Sequence, residues 1–381
     1  MEKMIYLDNA ASAPVKPCAL EAALAVMTEC FGNPSSVHSL GRQAALAVIS
    51  AREKCARALG ALPEEIFFTS GGTESDNWAL NAAVSAYPEK RHIVTTSIEH
   101  PAVLNTCRAL ERRGVEVTYI APDKEGFVSA QKVEAALRSD TAAVSVMAAN
   151  NEIGTLQPIA EIGELCSRQG VLFHTDAVQA VGNIPIDLRK LQADMLSVSA
   201  HKLGGLKGCG LLYVRKGTAV SPLIFGGGQE RGMRSGTENT AGIAALGAAM
   251  EASCGNLSAR AEKISAMRDR LIAELSEIPR SRLNGSRENR LCGNVNFSFA
   301  DVEGESLVLN LDLMGICASS GSACAGGTGE PSHVLRALGL SEEWLRGSLR
   351  LTVSEDNTME DILTAAQAVR AAVQLLRAAL N

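Results

Sequence analysis

A carboxylate and a lysine follow two consecutive apolar stretches of this sequence. Asp176 closes the stretch that begins at Val171, and Lys202 comes just after the stretch Met195 to Ser199. If these stretches are neighbouring buried strands, the two side chains face each other at one sheet edge. A lysine can hold a cofactor aldehyde as a Schiff base, and an acid can keep a pyridine nitrogen protonated. The pair predicts a pyridoxal phosphate site; a surface lysine in a glycine turn is the alternative.

Candidates for binding the cofactor phosphate surround this pair. Ser199 and His201 flank the lysine, where their hydrogen-bond donors can reach a phosphate. The turn Thr69 to Ser75 follows one predicted strand and opens a predicted helix, so its free amides and the helix dipole suit an anion. In that turn Gly72 permits close approach and Thr73 adds a hydroxyl. A plain helix cap is the alternative for this turn.

Two further strand ends carry polar side chains. His100 ends a strand where a cofactor ring would lie, and its ring can stack on the pyridine and move protons, with an ordinary pKa near 6.5. The alternative is a histidine that caps the next helix. Asn151 stands at the end of a fourth strand, where an amide can bond the ring hydroxyl or the substrate. The asparagine alone is a weak signal.

The segment 226–240 is too rich in glycine and polar residues to belong to a core. Its run Gly236 to Thr240 has the form of a helix start, which makes a second anion cradle. We assign this segment to phosphate binding, across a dimer interface. A disordered hinge is the alternative.

One cysteine lies in an unusual segment. Cys324 stands among small residues, with four glycines in the nine positions 321–329. Such a segment packs poorly and is predicted to be mobile and exposed, which makes the thiol available as a nucleophile. An incidental loop cysteine is the alternative. The other nine cysteines show no C-x-x-C pair or metal-ligand spacing, so we interpret them as reduced, buried small hydrophobes.

Arg350 lies in an apolar predicted strand near the end of the chain. A guanidinium in that environment requires a carboxylate partner. An amino-acid substrate supplies one that can bind in bidentate fashion. A structural salt bridge remains the competing account.

The elements that must position these residues change character along the chain. From 15 to 255, apolar strands alternate with helical stretches, which predicts a large α/β domain with a mostly parallel sheet flanked by helices. From 256 to 381, together with 1–14, the pattern predicts a smaller α+β domain that carries the cysteine segment. The predicted strands are Ile66–Thr69, His92–Ser97, Val115–Ile120, Thr141–Met147, Val171–His174, Met195–Ser199, Gly210–Val214, Asn294–Phe299 and Leu349–Val353.

The overall composition excludes some classes of function. Hydrophobic residues make up 46% and charged residues 20%, and the net charge of −6 gives no basic stripe for nucleic acid. The first residues lack the apolar core of a signal peptide, and no stretch approaches the roughly 18 apolar residues of a membrane span. We therefore expect a cytoplasmic protein without a membrane or nucleic-acid partner.

Taken together, these motifs make the chain resemble the cysteine desulfurases, which are fold-type-I pyridoxal phosphate enzymes of the class V aminotransferase family. The resemblance runs nearly from end to end. It rests on the segments Tyr6–Ala11, Asn33–His38, Thr69–Ser75, Ser199–Lys202, 227–237 and 319–324. Departures from the family pattern occur at Leu206, Ser12, Ala13 and Ala325.

The resemblance also implies a role for each candidate residue. Lys202 would be the Schiff-base lysine, His100 the stacking acid/base and Cys324 the persulfide-forming nucleophile. Asp176 would hold the ring nitrogen and Gln179 the ring oxygen. The remaining assignments place Asn151 against cofactor or substrate, Arg350 on the substrate carboxylate, and Gly72, Thr73, Ser199, His201 and Thr237 of the partner subunit around the phosphate.

The implied reaction takes sulfur from L-cysteine, leaving L-alanine and a persulfide on Cys324. The enzyme would be a homodimer that donates sulfur to an iron-sulfur scaffold or another acceptor protein, and Cys324 would briefly share a cluster with that scaffold. Two alternatives stay open: a selenocysteine lyase, and a sulfur-relay protein that kept the fold but lost turnover.

Overall fold

A seven-stranded sheet forms the centre of the structure. The computed structural model describes residues 4–320 and 331–379. The strands of the sheet are β2 (Ile66–Thr69), β3 (His92–Thr96), β4 (Glu116–Ile120), β5 (Thr141–Ser145), β6 (Leu172–Asp176), β7 (Met195–Ser199) and β8 (Gly210–Val214). They lie in the order β2, β8, β7, β6, β5, β3, β4.

The strands from β3 to β7 run parallel, and β8 is antiparallel to both of its neighbours. Every residue of β2, β3, β5, β7 and β8 is buried. Such strands need apolar side chains on both faces and helical crossovers between them. The predicted mostly parallel sheet flanked by helices is confirmed.

Helices pack on both faces of this sheet. They are α1 (Pro17–Glu29), α2 (Ser39–Leu59), α3 (Gly72–Ala86), α4 (Pro101–Glu111), α5 (Ala130–Ala136), α6 (Ile159–Gln169) and α7 (Thr240–Gly255). Successive residues of a strand point to opposite faces. Phe67 accordingly packs with Trp78 of α3, whereas Phe68 belongs to the core that α2 and α7 complete.

A second group of elements packs around its own core. The antiparallel sheet contains β9 (Ser281–Leu283), β10 (Asn294–Phe299) and β12 (Ser348–Thr352), and a parallel pair joins β1 (Ile5–Tyr6) to β11 (Ile316–Cys317). The helices are α8 (Leu257–Ser276), α9 (Gly304–Leu313), α10 (His333–Ala337), α11 (Glu342–Arg346) and α12 (Met359–Ala378). Ile5 and Leu7 share this core with residues of α8, β10 and α12. The proposed domain boundary at 255/256, which falls between α7 and α8, stays a prediction.

Local signals account for where these elements end. Helix α6 ends at Gln169, and Gly170 terminates it with a φ of 63°, a left-handed conformation that glycine adopts at little cost. Predicted strands that continued to Ser97 and Met147 instead end at Thr96 and Ser145, while β6 continues two residues beyond the predicted end, to Asp176. Among residues 4–320 and 331–379, no helix is long and apolar enough to span a membrane.

Candidate active site

A cavity of about 200 Å³ lies at the carboxyl ends of the parallel strands. This is where open α/β sheets bind their ligands. Nine of the predicted site residues line it: Gly72, Thr73, His100, Asn151, Asp176, Gln179, Ser199, His201 and Lys202. Residues from five separate parts of the sequence therefore meet in one small volume.

Lys202 and Asp176 come from adjacent parallel strands, as the sequence predicts. Asp176 is the last residue of β6, and Lys202 ends a short 3₁₀ turn directly after β7. The Lys202 Nζ donates hydrogen bonds to the carbonyls of Ala10, at 2.6 Å, and Ala11, at 2.8 Å. The N-terminal segment therefore orients the lysine amine within the cavity.

The Asp176 carboxyl is buried at the floor of the cavity, with 5% of the residue exposed. Burial raises its pKa, and the neighbouring His100 and Lys202, with a hydrogen bond from the Val178 amide, oppose that effect. The Val178 N donates to Oδ1 over 2.9 Å. A protonated ring nitrogen would add an opposite charge and so favour the ionised carboxylate.

His100 lines the cavity and also caps helix α4, so the two interpretations of this residue hold together. Pro101 at the first position has no N–H, and the next amide, of Ala102, donates to His100 Nδ1 over 3.1 Å. Burial is the largest cause of a lowered pKa, with Lys202 and His333 adding to it and Asp176 opposing it. The ring is therefore neutral near pH 7. Because Nδ1 accepts the cap hydrogen bond, the proton of the neutral ring is assigned to Nε2.

The first turn of α3 is the predicted phosphate cradle. Gly71 precedes the helix and supplies no side-chain acceptor to its first amides, so a phosphate oxygen can take that role. A Cβ on Gly72 would lie 2.7 Å from Cγ2 of Val178, and only glycine permits this approach. Thr73, Ser199 and His201 line the same cavity. These donors fit the phosphate of a ring whose nitrogen would lie at Asp176.

Gln179 lies beside Lys202. Its Nε2 donates to the Ala10 carbonyl over 3.0 Å, which is one of the two acceptors of the lysine amine. The amide carries a second N–H that can serve a ring oxygen. His201, on the other side of the lysine, has an Nδ1 placed 3.3 Å from the hydroxyl of Ser12. Burial and the neighbouring lysines lower the pKa of His201 to about 4, so it is neutral near pH 7.

Thr237 lies apart from the cavity of its own chain. It is exposed in the loop that precedes α7. In the same loop, Arg234 forms a bidentate ion pair with Glu74 of α3 at 2.7 and 3.0 Å. Glu74 in turn accepts from the Ser70 amide. The loop is thus attached to the phosphate cradle, and the role of Thr237 in a partner subunit stays a prediction.

Arg350 is almost fully buried and already has protein partners. Its Nη2 lies 2.9 Å from Oδ1 of Asp8, and its Nη1 donates to the carbonyl of Asn151 over 3.2 Å. The described residues thus show the structural salt bridge that competes with substrate binding. The guanidinium nevertheless contacts the backbone of a cavity residue. Its binding of a substrate carboxylate stays a prediction.

Cys324 lies outside the described residues, but the residues that flank its segment do not. On one side, Ser319 pairs with Arg350 through two backbone hydrogen bonds, and Ser320 accepts from the Ser348 hydroxyl over 2.7 Å. On the other side, the Ser332 hydroxyl donates to the Glu152 carboxylate, and the ring of His333 bonds to the Glu99 carbonyl. Both ends of the cysteine segment are therefore attached to elements of the active site.

Three buried titratable residues in or next to the site elements were not predicted from the sequence. Asp76 lines the cavity, Glu99 directly precedes His100, and His174 lies in β6 two residues before Asp176. All three are at most 1% exposed. The signal that could have found Asp76 is its spacing of three residues from Thr73, which places both on one helix face. The residues around Glu99 and His174 show no hydrophobic pattern that would identify either side chain as part of a site.

We expect Glu99 to make stability depend on pH. Its Oε1 accepts from the Thr96 hydroxyl and the Met147 amide, and burial raises its pKa from 4.5 to about 8. Between these values the folded state binds more protons than the unfolded state, so this contribution to stability falls as pH rises. Relative to wild type, Glu99→Gln should therefore gain stability from pH 5 to pH 8, by up to about 1.4 kcal/mol per pH unit. Urea unfolding of wild type and of Glu99→Gln at pH 5 and at pH 8 measures this change. An equal difference in the free energy of unfolding at both pH values would contradict the prediction.

The whole chain matches known proteins. The model of the family described as aminotransferase class-V matches residues 5–364. Cysteine desulfurase IscS of Methanosarcina thermophila is 51% identical over 376 residues, which cover 98% of this chain and 93% of that protein. Cysteine desulfurase IscS of Clostridium botulinum is 50% identical over 366 residues, which cover 95% and 92%. A solved NifS-like protein superimposes with a TM-score of 0.92 at 38% identity, covering 98% of this chain and all of the other.

The fold and the cavity define a class V aminotransferase, whose cofactor is pyridoxal 5'-phosphate. Within that class the chain belongs to the cysteine desulfurase family, since the identity to those relatives extends over nearly the whole of both chains. The predicted family and cofactor are confirmed. The roles of the individual residues stay predictions.

Proposed function

We propose that this chain is a pyridoxal phosphate-dependent cysteine desulfurase that converts L-cysteine to L-alanine and carries the sulfur as a persulfide on Cys324. One observation carries the proposal. A single cavity brings together Lys202, Asp176 and His100, and on both sides of the Cys324 segment a residue bonds to a side chain or backbone group that adjoins a cavity residue: Ser332 to Glu152, next to Asn151, and Ser319 to Arg350, whose guanidinium contacts Asn151. The identity to named cysteine desulfurases supports the same reaction.

The residues of the cavity divide the work of holding the cofactor. Lys202 would hold the aldehyde carbon, Asp176 the ring nitrogen and Gln179 the ring oxygen. The first turn of α3, with Ser199 and His201, would hold the phosphate. When bound, the ring supplies an electron sink for the substrate carbons.

In this arrangement, side chains of the protein hold protons and transfer them. The Lys202 amine is hydrogen-bonded to two carbonyls, which orient its lone pair toward the cavity once a proton is lost. His100 can present its Nε2 to the ring or the substrate because Nδ1 is occupied by the helix cap. The Arg350 guanidinium would bind the substrate carboxylate by sharing its donors with Asp8 and Asn151.

The sulfur step requires a thiolate that reaches the substrate. The Cys324 sulfur attacks the sulfur of bound L-cysteine, and an S–S bond forms as the C–S bond breaks. The electron pair of the C–S bond stays with the substrate carbon, which a proton then converts to the methyl group of alanine. An ordinary thiol pKa near 8.5 leaves some thiolate at neutral pH.

The same proposal includes the sulfur acceptor and the cellular compartment. The sulfur acceptor is an iron-sulfur scaffold or another acceptor protein, with Cys324 as a transient cluster ligand. All nine described cysteines are free thiols, which supports a reducing, cytoplasmic compartment.

We also propose a homodimer. The adjacent helices α1 and α2 expose apolar side chains at Leu20, Leu24, Met27, Leu46 and Ile49, each at least 49% exposed. An apolar surface of this kind is typical of a contact between subunits. Thr237 could then reach the phosphate of the other subunit. Sedimentation at the mass of one chain would contradict the proposal.

Mass spectrometry after brief exposure to L-cysteine tests the function. We expect one added sulfur on the peptide that contains Cys324, removable by a thiol reductant, with one alanine released per sulfur. Incubation with L-alanine is the control and should add nothing. Alanine release without any added sulfur on that peptide would contradict the assignment of Cys324, and no alanine release would contradict the proposed reaction.

A further inference from the structure

Asp76 is a second carboxyl group in the cofactor cavity, and the reaction described above does not use it. The residue lies in the first turns of α3, three positions after Thr73, and is 1% exposed. It lines the same cavity as Asp176. Within residues 4–320 and 331–379, its Oδ1 has no hydrogen-bond partner. Two acidic side chains therefore share one small, buried volume.

The two carboxyl groups experience opposite surroundings. His100, when it is protonated, and the positive charge of Lys202 both lower the pKa of Asp176. The titratable groups that act on Asp76 are Asp176 and Glu99, and both are acidic. Burial and these two acids raise the pKa of Asp76 well above its usual range, while a hydrogen bond with the Ser197 hydroxyl opposes them. The electrostatic difference thus favours a proton on Asp76 and a charge on Asp176.

His174 lies beside Asp76 without neutralising it. Its Nε2 is 3.6 Å from Oδ1 of Asp76, which exceeds hydrogen-bond distance, whereas the same nitrogen is 3.0 Å from Oγ of Ser197. Its Nδ1 is 2.9 Å from Oγ of Ser145. Burial lowers the pKa of His174 to about 3, so the ring is neutral. An ion pair between His174 and Asp76 is therefore disfavoured, because burial keeps the His174 ring neutral.

We propose that Asp76 is a positioning residue that carries a proton in the folded enzyme and donates it toward Ser197, so that Asp176 alone presents a negative charge to the cofactor ring. Ser197 then donates to His174 Nε2, and the Nδ1–H of His174 donates to Ser145. The proton of Asp76, the Ser197 hydroxyl and the Nδ1–H of His174 each then have an acceptor. The proposal rests on the assignment of Asp176 to the ring nitrogen.

A protonated Asp76 reduces the electrostatic repulsion in this cavity. Two ionised carboxylates in one buried site repel each other, and the repulsion is relieved when one of them keeps a proton. A proton on Asp76 leaves Asp176 ionised, which is the state that a protonated ring nitrogen requires. The row from Ser197 to Ser145 fixes the direction in which Asp76 donates.

Infrared difference spectroscopy of the holoenzyme tests the protonation state directly, without turnover. We expect wild type at neutral pH to show the C=O band of a protonated carboxyl group that shifts on ¹³C-aspartate labelling. Asp76→Asn, which is neutral and nearly the same shape, should lack the band, and the exposed control Asp312→Asn should keep it. No such band in wild type, or a band retained in Asp76→Asn, overturns the proposal.

Absorbance titration of the cofactor linked to Lys202 provides a second readout. A charged Asp76 would stabilise the protonated link, so Asp76→Asn would lower its pKa by about one unit or more. A neutral Asp76 instead predicts a pKa within about 0.3 units of wild type, a factor of two in proton affinity. A larger decrease overturns the proposal. Failure of the proposed reaction would appear as absent alanine release and leaves both readouts measurable.

Ser197→Ala tests the row of hydrogen bonds should Asp76→Asn not fold. This variant removes the acceptor and leaves the acid in place. We expect the carboxyl band to shift in frequency but to remain. An unshifted band would show that Asp76 does not donate to Ser197, and its loss would show that the proton is held elsewhere.

Discussion

Lys202→Ala is expected to abolish the covalent link to the cofactor and to lower cysteine desulfuration by about 10³-fold or more, because a covalent group and a base are lost together. The amine of Lys202 is fixed between two carbonyls of the N-terminal segment in the cavity that contains Asp176 and His100. Borohydride reduction followed by mass spectrometry measures the link, and alanine release measures the activity.

Lys207→Ala is the matched control for this experiment. Lys207 lies five residues further along the chain and is exposed, so its loss should leave both the reduced adduct and the activity unchanged. Pyridoxal phosphate should still bind Lys202→Ala through Asp176 and the phosphate cradle, more weakly and reversibly. A reduced adduct of wild-type yield in Lys202→Ala would show that another lysine holds the cofactor.

The sheet was predictable from sequence because its strands are buried on both faces. Runs such as Ile66–Thr69 and Met195–Ser199 consist of apolar residues and small hydroxyl residues, and the predicted bounds equal those in the structure. Strand ends that were missed, such as Ser145, fall where the chain leaves the sheet but stays buried. Burial alone therefore cannot reveal where hydrogen bonding between strands stops.

The site residues that follow strands could be predicted from the sequence. Asp176, Lys202 and His100 each stand at or just after the carboxyl end of a parallel strand, so topology brings them together. Asp76 lies inside a helix, and only the way that α3 packs on the sheet turns its carboxyl toward Asp176. The partner of Arg350 was also beyond the sequence, since Asp8 is 342 positions away.

The described thiols show why the nucleophile should be sought at Cys324. Seven of them have a raised thiol pKa, and burial is the largest cause in each: Cys55, Cys107, Cys166, Cys209, Cys254, Cys292 and Cys317. A raised pKa reduces the thiolate fraction at neutral pH, and the thiolate is the nucleophile. Neither remaining described thiol, Cys18 or Cys30, lines the cofactor cavity.

Cys324→Ala should therefore keep the bound cofactor and its absorbance while alanine and sulfide release falls by about 100-fold or more, since the acceptor of the substrate sulfur is lost. None of the residues that line the cofactor cavity is altered by this change. The matched control is Cys317→Ala, which removes a half-buried thiol from β11, seven residues earlier, and should keep most of the activity. Absorbance, alanine release and persulfide mass spectrometry are measured on both variants.

A comparison of Cys324→Ala with Cys324→Ser separates a chemical role of the thiol from a structural one. If Cys324 only supported the fold of its segment, Cys324→Ser would restore activity, because a hydroxyl is close to a thiol in size but cannot accept sulfur. We expect Cys324→Ser to remain as inactive as Cys324→Ala, with the same thermal midpoint as wild type. Wild-type sulfide release by either variant would transfer the nucleophilic role to another group.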